Sequence, residues 1–411
     1  MNKKISLGLS ISITIIAVTL AVVVTYTAAM NTFDSRMSSV TERQNMYDLL
    51  SELDLKVRMS YYKELRNDAV SNSIAKGYVD GLGDPYSGFL TSEQYKQKVD
   101  LEAGYDFGLG IDIARNSDGL ILVNRVDSNS PANSAGVKKG DVITSVGGKS
   151  VSSTGYDSSV AALSEASPKA SFAVKRNGRS YNFNVTKSTY SVMSIERKVI
   201  GDDTGYIRIS EFNDKTYDQF NSAVNSLKKS QITGLIIDLR DNKGGSYDAA
   251  CEILDSLLPA GNLMLTKAKD GEETVMYTSD TRDLKMPMCI LINSNTIGAG
   301  ELFAGAFADF GRADLVGTAT FGRHSVQELF PLSNGTAVEL TTKTWTTASS
   351  SALEGGKIAP HFEVKLTDYQ YENRFLLSDG EDPQLQTAIE RIESKKTATP
   401  AAPAVSDSDA E

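Results

Sequence analysis

A turn between an apolar strand and an apolar helix is the first place in this sequence where chemistry is expected. The apolar segment 288–292 is followed by a turn of small residues, 293–301 (NSNTIGAGE), and then by the apolar run 302–310. Enzymes commonly place a nucleophile on such a turn, because free N–H groups at a helix N-terminus stabilise a developing oxyanion. The centre of this turn is Gly298, which has no side chain with which to attack a carbonyl carbon.

A second segment, 320–327 (TFGRHSVQ), is expected to meet the first one in space. It contains a cation, Arg323. Arginine stays protonated in proteins, so it cannot accept a proton as a buried lysine can. Its guanidinium could still bind a carboxylate through two parallel hydrogen bonds. Together the two segments indicate a site built like an active site but without its reactive groups.

These segments resemble the carboxyl-terminal processing (tail-specific) serine peptidases, in which they usually read S-A-S-A-S-E and T-F-G-K-G-x-x-Q. Alignment on Glu301 places Gly298 at the nucleophilic serine. Alignment on 320–322 places Arg323 at the general-base lysine and Gln327 at the glutamine that orients it. The resemblance implies a serine-type peptidase fold that has lost its serine and lysine, and so a pseudoprotease.

The segment 238–245 (DLRDNKGG) resembles the family motif D-L-R-x-N-P-G-G, with Lys243 in place of the proline. The resemblance implies an oxyanion hole formed by an amide near Gly245 and the amide of Ala299. Two glycines between a strand and a helix also form a tight turn for purely structural reasons. A further departure is His361, which stands at the aspartate of the family's G-I-x-P-D.

An active peptidase with relocated chemistry is the alternative hypothesis. Its candidate hydroxyls are Ser294 and Thr296 in the turn, and Ser325 beside His324. Adjacent residues on a strand point to opposite faces, which disfavours a Ser325–His324 pair. An error in the alignment is the third possibility, although Glu301 and the segment 320–322 fix it independently.

The region 101–187 has the short strands and turns of a PDZ domain. Gly108, Leu109, Gly110 and Ile111 form a loop motif, and 130–143 (SPANSAGVKKGDVI) supplies helix and strand signals in the expected order. In PDZ domains such a loop offers N–H groups to a peptide's C-terminal carboxylate, while the peptide adds a strand to a sheet edge. We expect C-terminal tails or unfolded proteins as ligands; the alternative is a spacer or lid.

Composition limits the function classes. The chain has 411 residues, of which 40% are hydrophobic and 23% charged, enough for two or three domains. A net charge of -10 with no basic block argues against nucleic acid as a partner. Cys251 and Cys289 lack the spacing of metal ligands and lie in apolar runs, so buried thiols are favoured over a disulfide. No metal and no cofactor are predicted.

Lys3 and Lys4 precede an apolar run, 5–27, which is long enough for a transmembrane anchor. The lysines predict a cytoplasmic stub, 1–4, with the rest of the chain on the extracytoplasmic side of the cell membrane. The patch 25–29 is small enough for a signal peptidase, so cleavage stays open.

The predicted fold is α/β (α+β), with a PDZ domain inserted in a crotonase-like peptidase core. After the anchor we expect an N-terminal helical region (28–100) that packs or dimerises, the PDZ domain (101–187), the core (188–370), a C-terminal helix region (371–395) and a disordered tail (396–411). An active peptidase relative or a second copy of the chain is a further candidate partner.

Overall fold

The computed structural model describes residues 7–280, 284–349, 353–354 and 356–398. It divides into two compact units, Met1–Ile74 and Ala75–Glu411. The helices are α1 (Leu7–Ser60), α2 (Asn67–Asp80), α3 (Ser92–Glu102), α4 (Pro131–Ala135), α5 (Val151–Thr154), α6 (Tyr156–Glu165), α7 (Thr216–Lys229), α8 (Tyr247–Leu257), α9 (Ala299–Asp309), α10 (Asp368–Glu372) and α11 (Pro383–Ala398).

The strands are β1 (Gly88–Leu90), β2 (Tyr105–Gly108), β3 (Ile111–Arg115), β4 (Ile121–Val126), β5 (Val142–Val146), β6 (Lys149–Ser150), β7 (Lys169–Arg176), β8 (Arg179–Thr186), β9 (Ser188–Ser191), β10 (Ile195–Ile200), β11 (Thr204–Ile209), β12 (Gly234–Asp238), β13 (Gly261–Ala268), β14 (Glu273–Ser279), β15 (Met288–Ile292), β16 (Asp314–Gly317), β17 (Ser325–Pro331), β18 (Ala337–Thr346), β19 (Leu353–Glu354), β20 (Lys357–Ile358) and β21 (Phe362–Glu363).

The long helix α1 occupies most of the first unit. The predicted anchor, 5–27, falls partly outside the described residues, because 5 and 6 are not described and nor are the side chains of 7–16. Within the part of the chain that the structure describes, no helix has an apolar stretch long enough to cross a membrane. The anchor is therefore not confirmed.

The PDZ region forms its own antiparallel sheet in the order β3-β4-β5-β7-β8, with β6 paired to β5. Its core contains Ile121, Val123, Ile143, Phe172 and Val174. Strand β3 has one paired neighbour, β4, and so forms an edge of this sheet. A sheet edge next to the 108–111 loop is the geometry that strand addition by a peptide requires.

A sheet in the order β10-β11-β12-β15-β16-β21 forms the centre of the peptidase-like core. The strands from β11 onward are parallel, whereas β10 is antiparallel to β11. Every residue of β12 and β15 is buried, as expected for parallel strands covered on both faces. Helices α7, α8 and α9 contribute to the larger core on one face, and α11 packs on the other.

A second sheet, β1-β18-β13-β14 with β17 beside β18, completes the core. Trp345 on β18 is 1% exposed and lies in the interior. The start of β17, at Ser325, lies in the second segment, 320–327, and this segment meets the turn that follows β15.

The predicted disordered tail, 396–411, begins too early. Helix α11 continues to Ala398, three residues beyond the predicted C-terminal helix region, 371–395. Lys395 pairs with Asp314 at 3.0 Å, and Lys396 pairs with Asp203 and Glu393, both at 2.8 Å. Cations in the last turn also complement the helix dipole, so the final turn is stabilised. Residues 399–411 lie outside the described residues.

Both cysteines are free and buried, which confirms the preference for thiols. Cys251 belongs to the core on the α8 face of the central sheet, and Cys289 to the core on the α11 face. Burial raises the pKa of both thiols, that of Cys289 to about 12. They are therefore protonated and unreactive at neutral pH.

Candidate active site

Gly298 lies on the sharp turn between β15 and α9, with φ +57° and ψ −111°. Side chains rarely adopt this conformation, and nucleophiles on strand-to-helix elbows are held in just such a strained turn. A Cβ atom built on Gly298 would have one neighbour within 4 Å, the Tyr247 hydroxyl at 3.5 Å. The turn therefore has the backbone shape and the space that a nucleophilic side chain needs, but glycine supplies no such side chain.

Glu301 holds the two segments together from a fully buried position. Its carboxylate accepts hydrogen bonds from the backbone N–H of Gly298 at 2.9 Å, Gly322 at 2.6 Å and Arg323 at 2.8 Å. It also accepts one from the Thr320 hydroxyl at 2.5 Å. Since these donors come from both segments, the prediction that the segments meet is confirmed. The hydrogen bonds of Glu301 hold them together.

Arg323 is held at the family's lysine position by two neighbours. Its guanidinium donates to Gln327 Oε1 and lies over the ring of Tyr86, 4.7 Å from the ring centroid. Gln327 in turn donates to the hydroxyls of Ser325 and Thr341 at 2.8 and 2.9 Å. The Arg323 Nε atom is buried without an acceptor. The glutamine therefore still orients the residue at this position, but that residue is a permanent cation.

The segment before β1 contributes to this site, and it is not among the site residues predicted from the sequence. Tyr86 stacks on Arg323, and Ser87 accepts a hydrogen bond from the Thr341 N–H at 3.0 Å. Asp84 accepts from Ser87 at 2.6 Å. Burial acts to raise the pKa of Asp84, but hydrogen bonds from Ser87 and Thr341 and the charge of Arg323 outweigh it and lower the pKa.

The glycine turn after β12 lies against the elbow. The Ile297 N–H donates to the Asn242 carbonyl at 3.2 Å, and Asn242 Oδ1 accepts from the Gly244 N–H. In the described part of the chain, the backbone N–H groups of Gly245 and Ala299 donate to no protein acceptor. Two free N–H groups on adjoining turns are what an oxyanion hole needs. The assignment of Gly245 and Ala299 to that role stays a prediction.

Tyr247, the first residue of α8, was missed by sequence reasoning. Its hydroxyl donates to the Ser325 carbonyl at 3.2 Å and faces the empty position on Gly298. Burial raises the pKa of Tyr247 well above its usual value, with the charge of Arg323 opposing. The phenol is therefore neutral at physiological pH and is a hydrogen-bond donor, not a base.

The candidate relocated nucleophiles are separated by the fold. The Thr296 hydroxyl is fully buried and donates to the Leu239 carbonyl at 2.8 Å. The Ser325 hydroxyl accepts from Gln327, while the His324 ring packs on Trp345 and bonds to the Gly356 carbonyl. Ser294 lines a different cavity, described below. No pair among the four is hydrogen-bonded in the described structure, as nucleophile and base would be.

Two other departures from the family motifs have local structural roles. Lys243, at the proline position, donates its N–H to the Ser210 carbonyl at 2.9 Å. Its ammonium lies 3.2 Å from Asp112 on the PDZ strand β3, which Arg125 also contacts at 2.8 Å. His361, at the aspartate position, accepts the Leu315 N–H through Nδ1 at 3.0 Å. A proline at position 243 would have neither the N–H that bonds to Ser210 nor the ammonium that contacts Asp112.

The PDZ loop is held by its carbonyl groups. The carbonyls of Leu109 and Gly110 accept from the N–H groups of Ala132 and Asp127 at 3.0 and 2.9 Å. The N–H groups of Leu109 and Gly110 donate to no acceptor in the residues described. The predicted peptide-binding residues 108–111 are thus arranged as a free anion-binding loop at the start of the edge strand β3; their role in binding stays a prediction.

Comparison with known proteins agrees with this architecture. The family model "Peptidase family S41" matches residues 203–364, and the model "PDZ domain" matches residues 108–186. The chain carries a peptidase family S41 domain and a PDZ domain. The chain is 28% identical, over 334 residues, to the carboxy-terminal processing protease CtpA of Bacillus subtilis (strain 168), covering 80% of this chain and 72% of the relative.

A second curated relative is the carboxy-terminal-processing protease of Bartonella bacilliformis, 28% identical over 339 residues, with 80% of the S41 chain and 77% of the relative covered. Among solved structures, the photosystem II D1 C-terminal processing protease superposes with a TM-score of 0.50 at 24% identity, covering 81% of this chain and 92% of that one. The last likeness shows a shared fold. The predicted family, PDZ domain and mixed α/β architecture are thereby confirmed.

Proposed function

We propose that this S41 chain binds protein C-terminal tails or unfolded segments and does not cleave them, acting as a scaffold or regulator. The observation that carries the proposal is that glycine stands at 298 and arginine at 323 in a site that still has its elbow, the Glu301 contacts and Gln327. The elbow keeps its strained turn, Glu301 keeps the two segments together and Gln327 keeps its contact with position 323. The nucleophile and the base are the two parts replaced.

The remaining groups suit binding better than catalysis. Two free N–H groups, a neutral phenol and a fixed guanidinium can hold a carbonyl or carboxylate oxygen. Without a nucleophile, a serine-protease site retains about 10³–10⁴-fold acceleration over water. Peptide hydrolysis in water is so slow that such a rate would have no biological effect.

The proposal is tested by restoring both groups in the full chain. Wild type, Gly298→Ser, Arg323→Lys and the double variant are incubated, with detergent present, with reduced casein and with peptides that model C-terminal tails. Cleavage is followed by mass spectrometry. We expect none from wild type and cleavage by the double variant, because the Gly298 position has room for a side chain.

The single variant Gly298→Ser should cut at least about 100-fold more slowly than the double variant, since a general base contributes about 10²–10⁴-fold. Cleavage by wild type that is lost on changing Ser294 or Ser325 would establish the alternative, a tail-specific endopeptidase with a relocated nucleophile. Cleavage by wild type that survives those changes also rejects the proposal.

Tail binding is measured on the same proteins with pairs of peptides that differ in a free or amidated C-terminus. We expect the free form to bind more tightly, because the N–H groups of the PDZ loop favour a carboxylate. Equal binding of both forms would leave the PDZ domain as a spacer.

We also propose that the chain is anchored in the cell membrane with its domains on the extracytoplasmic side. The support is the sequence alone: two lysines followed by the apolar run 5–27. Fractionation of expressing cells, followed by protease treatment of intact and opened cells, tests it. Recovery of the full-length chain in the soluble fraction would reject the anchor.

A further inference from the structure

A second cavity of about 650 Å³ lies over the carboxyl ends of the central strands. Its walls include Arg208 at the end of β11, Asp238 at the end of β12, and Asn293 just after β15. Phe375, from the segment after α10, also lines the cavity. Asn293 and Ser294, at the start of the turn 293–301, belong to the lining, whereas Gly298, Glu301 and Arg323 do not. Carboxyl ends of parallel strands are where α/β sheets bind ligands, and this volume suits a small molecule.

Most charged side chains of the cavity core already have partners. Arg240 pairs with Asp238 at 2.6 Å and with Asp382 at 2.8 Å, and Arg374 pairs with Asp241 at 3.1 Å. The Tyr206 hydroxyl donates to Asp238 at 2.7 Å. These pairs set two guanidinium groups against three carboxylates, so this frame of side chains keeps a net charge of -1.

Arg208 is the exception among the arginines of this frame. It forms no ion pair with any described residue; Glu196, opposite it in the β10–β11 register, is not within pairing distance. One weak contact joins its Nη2 to the Arg240 carbonyl at 3.5 Å, and its Nε is buried without an acceptor. The charge of Arg208 acts on the nearby carboxylates of Asp238 and Asp241. Because its side chain lines the cavity and forms no close ion pair with a described residue, it is a cation with which an anionic ligand can pair.

The other groups near Arg208 define the ligand's chemistry. The Phe375 ring lies 5.0 Å from the guanidinium carbon and so covers one face of the cation. Lys139, from the PDZ domain, lines the same cavity, as does Lys198, whose ammonium pairs with Asp379. A planar carboxylate fits the free edge of a guanidinium through two hydrogen bonds, and an attached apolar group would lie against the aromatic wall.

We propose that this cavity is a second ligand site, which binds a small organic carboxylate with an apolar group, and that Arg208 is its anchor. The site does not depend on tail binding or on the absence of catalysis. Because residues of both the PDZ domain and the core line the cavity, a bound ligand would contact both domains.

The test is calorimetric titration of the full chain, in detergent, with 3-phenylpropionate, its neutral amide 3-phenylpropionamide, and inorganic phosphate. We expect the carboxylate to bind at least tenfold more tightly than the amide. Arg208→Gln should weaken carboxylate binding about ten- to hundredfold, as expected for a charged hydrogen-bonded pair. Arg179→Gln, an exposed PDZ residue outside the cavity, is the matched control and should bind like wild type.

Arg208→Lys keeps the positive charge but loses the planar pair of N–H donors, so it should bind the carboxylate with intermediate strength. This variant replaces Arg208→Gln if the glutamine variant fails to fold. Equal binding of acid and amide, no binding of either, or binding of phosphate alone would overturn the proposal. So would carboxylate binding that survives Arg208→Gln but is lost in Arg323→Gln, because the ligand would then lie in the elbow site.

Discussion

At the scale of single residues, Glu301 is more informative than the two substituted positions. A buried carboxylate with four donors and no cationic partner of its own is stable only because all four bonds are made. The same carboxylate fixes the backbone of Gly298 and of Arg323. Any chemistry or binding at the elbow therefore depends on a residue that does not itself react.

We expect Glu301→Gln to destabilise the chain by about 2–3 kcal/mol, because the amide NH2 would face N–H donors and leave one of them unpaired. The measurement is urea unfolding followed by tryptophan fluorescence, since Trp345 lies in the same core. Glu328→Gln is the control. It removes an exposed pair with Lys343 and should cost no more than about 1 kcal/mol. Similar losses in both variants would contradict the fastening role.

The chemistry of a position could be predicted from the sequence where the residue type alone excludes a catalytic role. Glycine cannot be a nucleophile and arginine cannot be a base in any fold, so positions 298 and 323 could be interpreted from the sequence. Tyr86 and Tyr247 could not, because tyrosine suits many sites and the two residues are far apart in the chain. Only the fold brings their rings beside Arg323 and Gly298.

At the scale of elements, the loop 108–111 and the edge strand β3 form the most direct candidate for tail recognition. The loop is tightly packed at Gly110, where φ is +73° and a Cβ would lie 2.1 Å from the Cβ of Ser130. That serine is the N-cap of α4 and is fully buried, so it has no room to move.

Gly110→Val should therefore displace the loop and weaken binding of free-carboxylate tails at least about tenfold. Gly119→Val is the matched control: its φ is also +73°, but its nearest neighbour is the end of the Arg115 side chain at 3.6 Å. Fluorescence anisotropy with a labelled peptide measures both variants. Equal losses would show that backbone strain, and not the loop's contacts, causes the effect.

Elements were predicted well where apolar runs were long. The fully buried β15 has the same bounds in sequence and structure, because a run covered on both faces carries an unmistakable pattern. The end of α11 was misplaced, since its last turn is stabilised by ion pairs to residues some 80 and 190 positions away, Asp314 and Asp203. Such partners leave no local signal.

At the scale of the whole molecule, one contact joins the PDZ domain to the glycine turn beside the elbow: Lys243 to Asp112. Burial alone would raise the pKa of Asp112, but Lys243 and Arg125 outweigh it and hold the pKa below its ordinary value. A depressed carboxylate pKa stabilises the fold above the unfolded-state pKa and ceases to do so as pH falls through the folded one.

We expect wild type to melt at a higher temperature than Asp112→Asn at pH 7, with the difference shrinking toward zero below about pH 4. Scanning calorimetry between pH 7 and 3 measures it. Lys267→Met, which breaks an exposed hairpin pair with Glu273, should melt like wild type at pH 7. A difference between wild type and Asp112→Asn that does not change with pH would show that the ion pair does not join the domains energetically.

The two buried thiols can report which face of the central sheet loses its covering layer first during unfolding. Each belongs to the layer on one face of the central sheet, and neither can meet a labelling reagent until that layer separates. Pulse alkylation, with mass spectrometry to locate the label, would time the loss of each face without adding a probe. If Cys289 is labelled before Cys251, then α11 separates from the sheet first, while α8 and its neighbours remain packed on the other face.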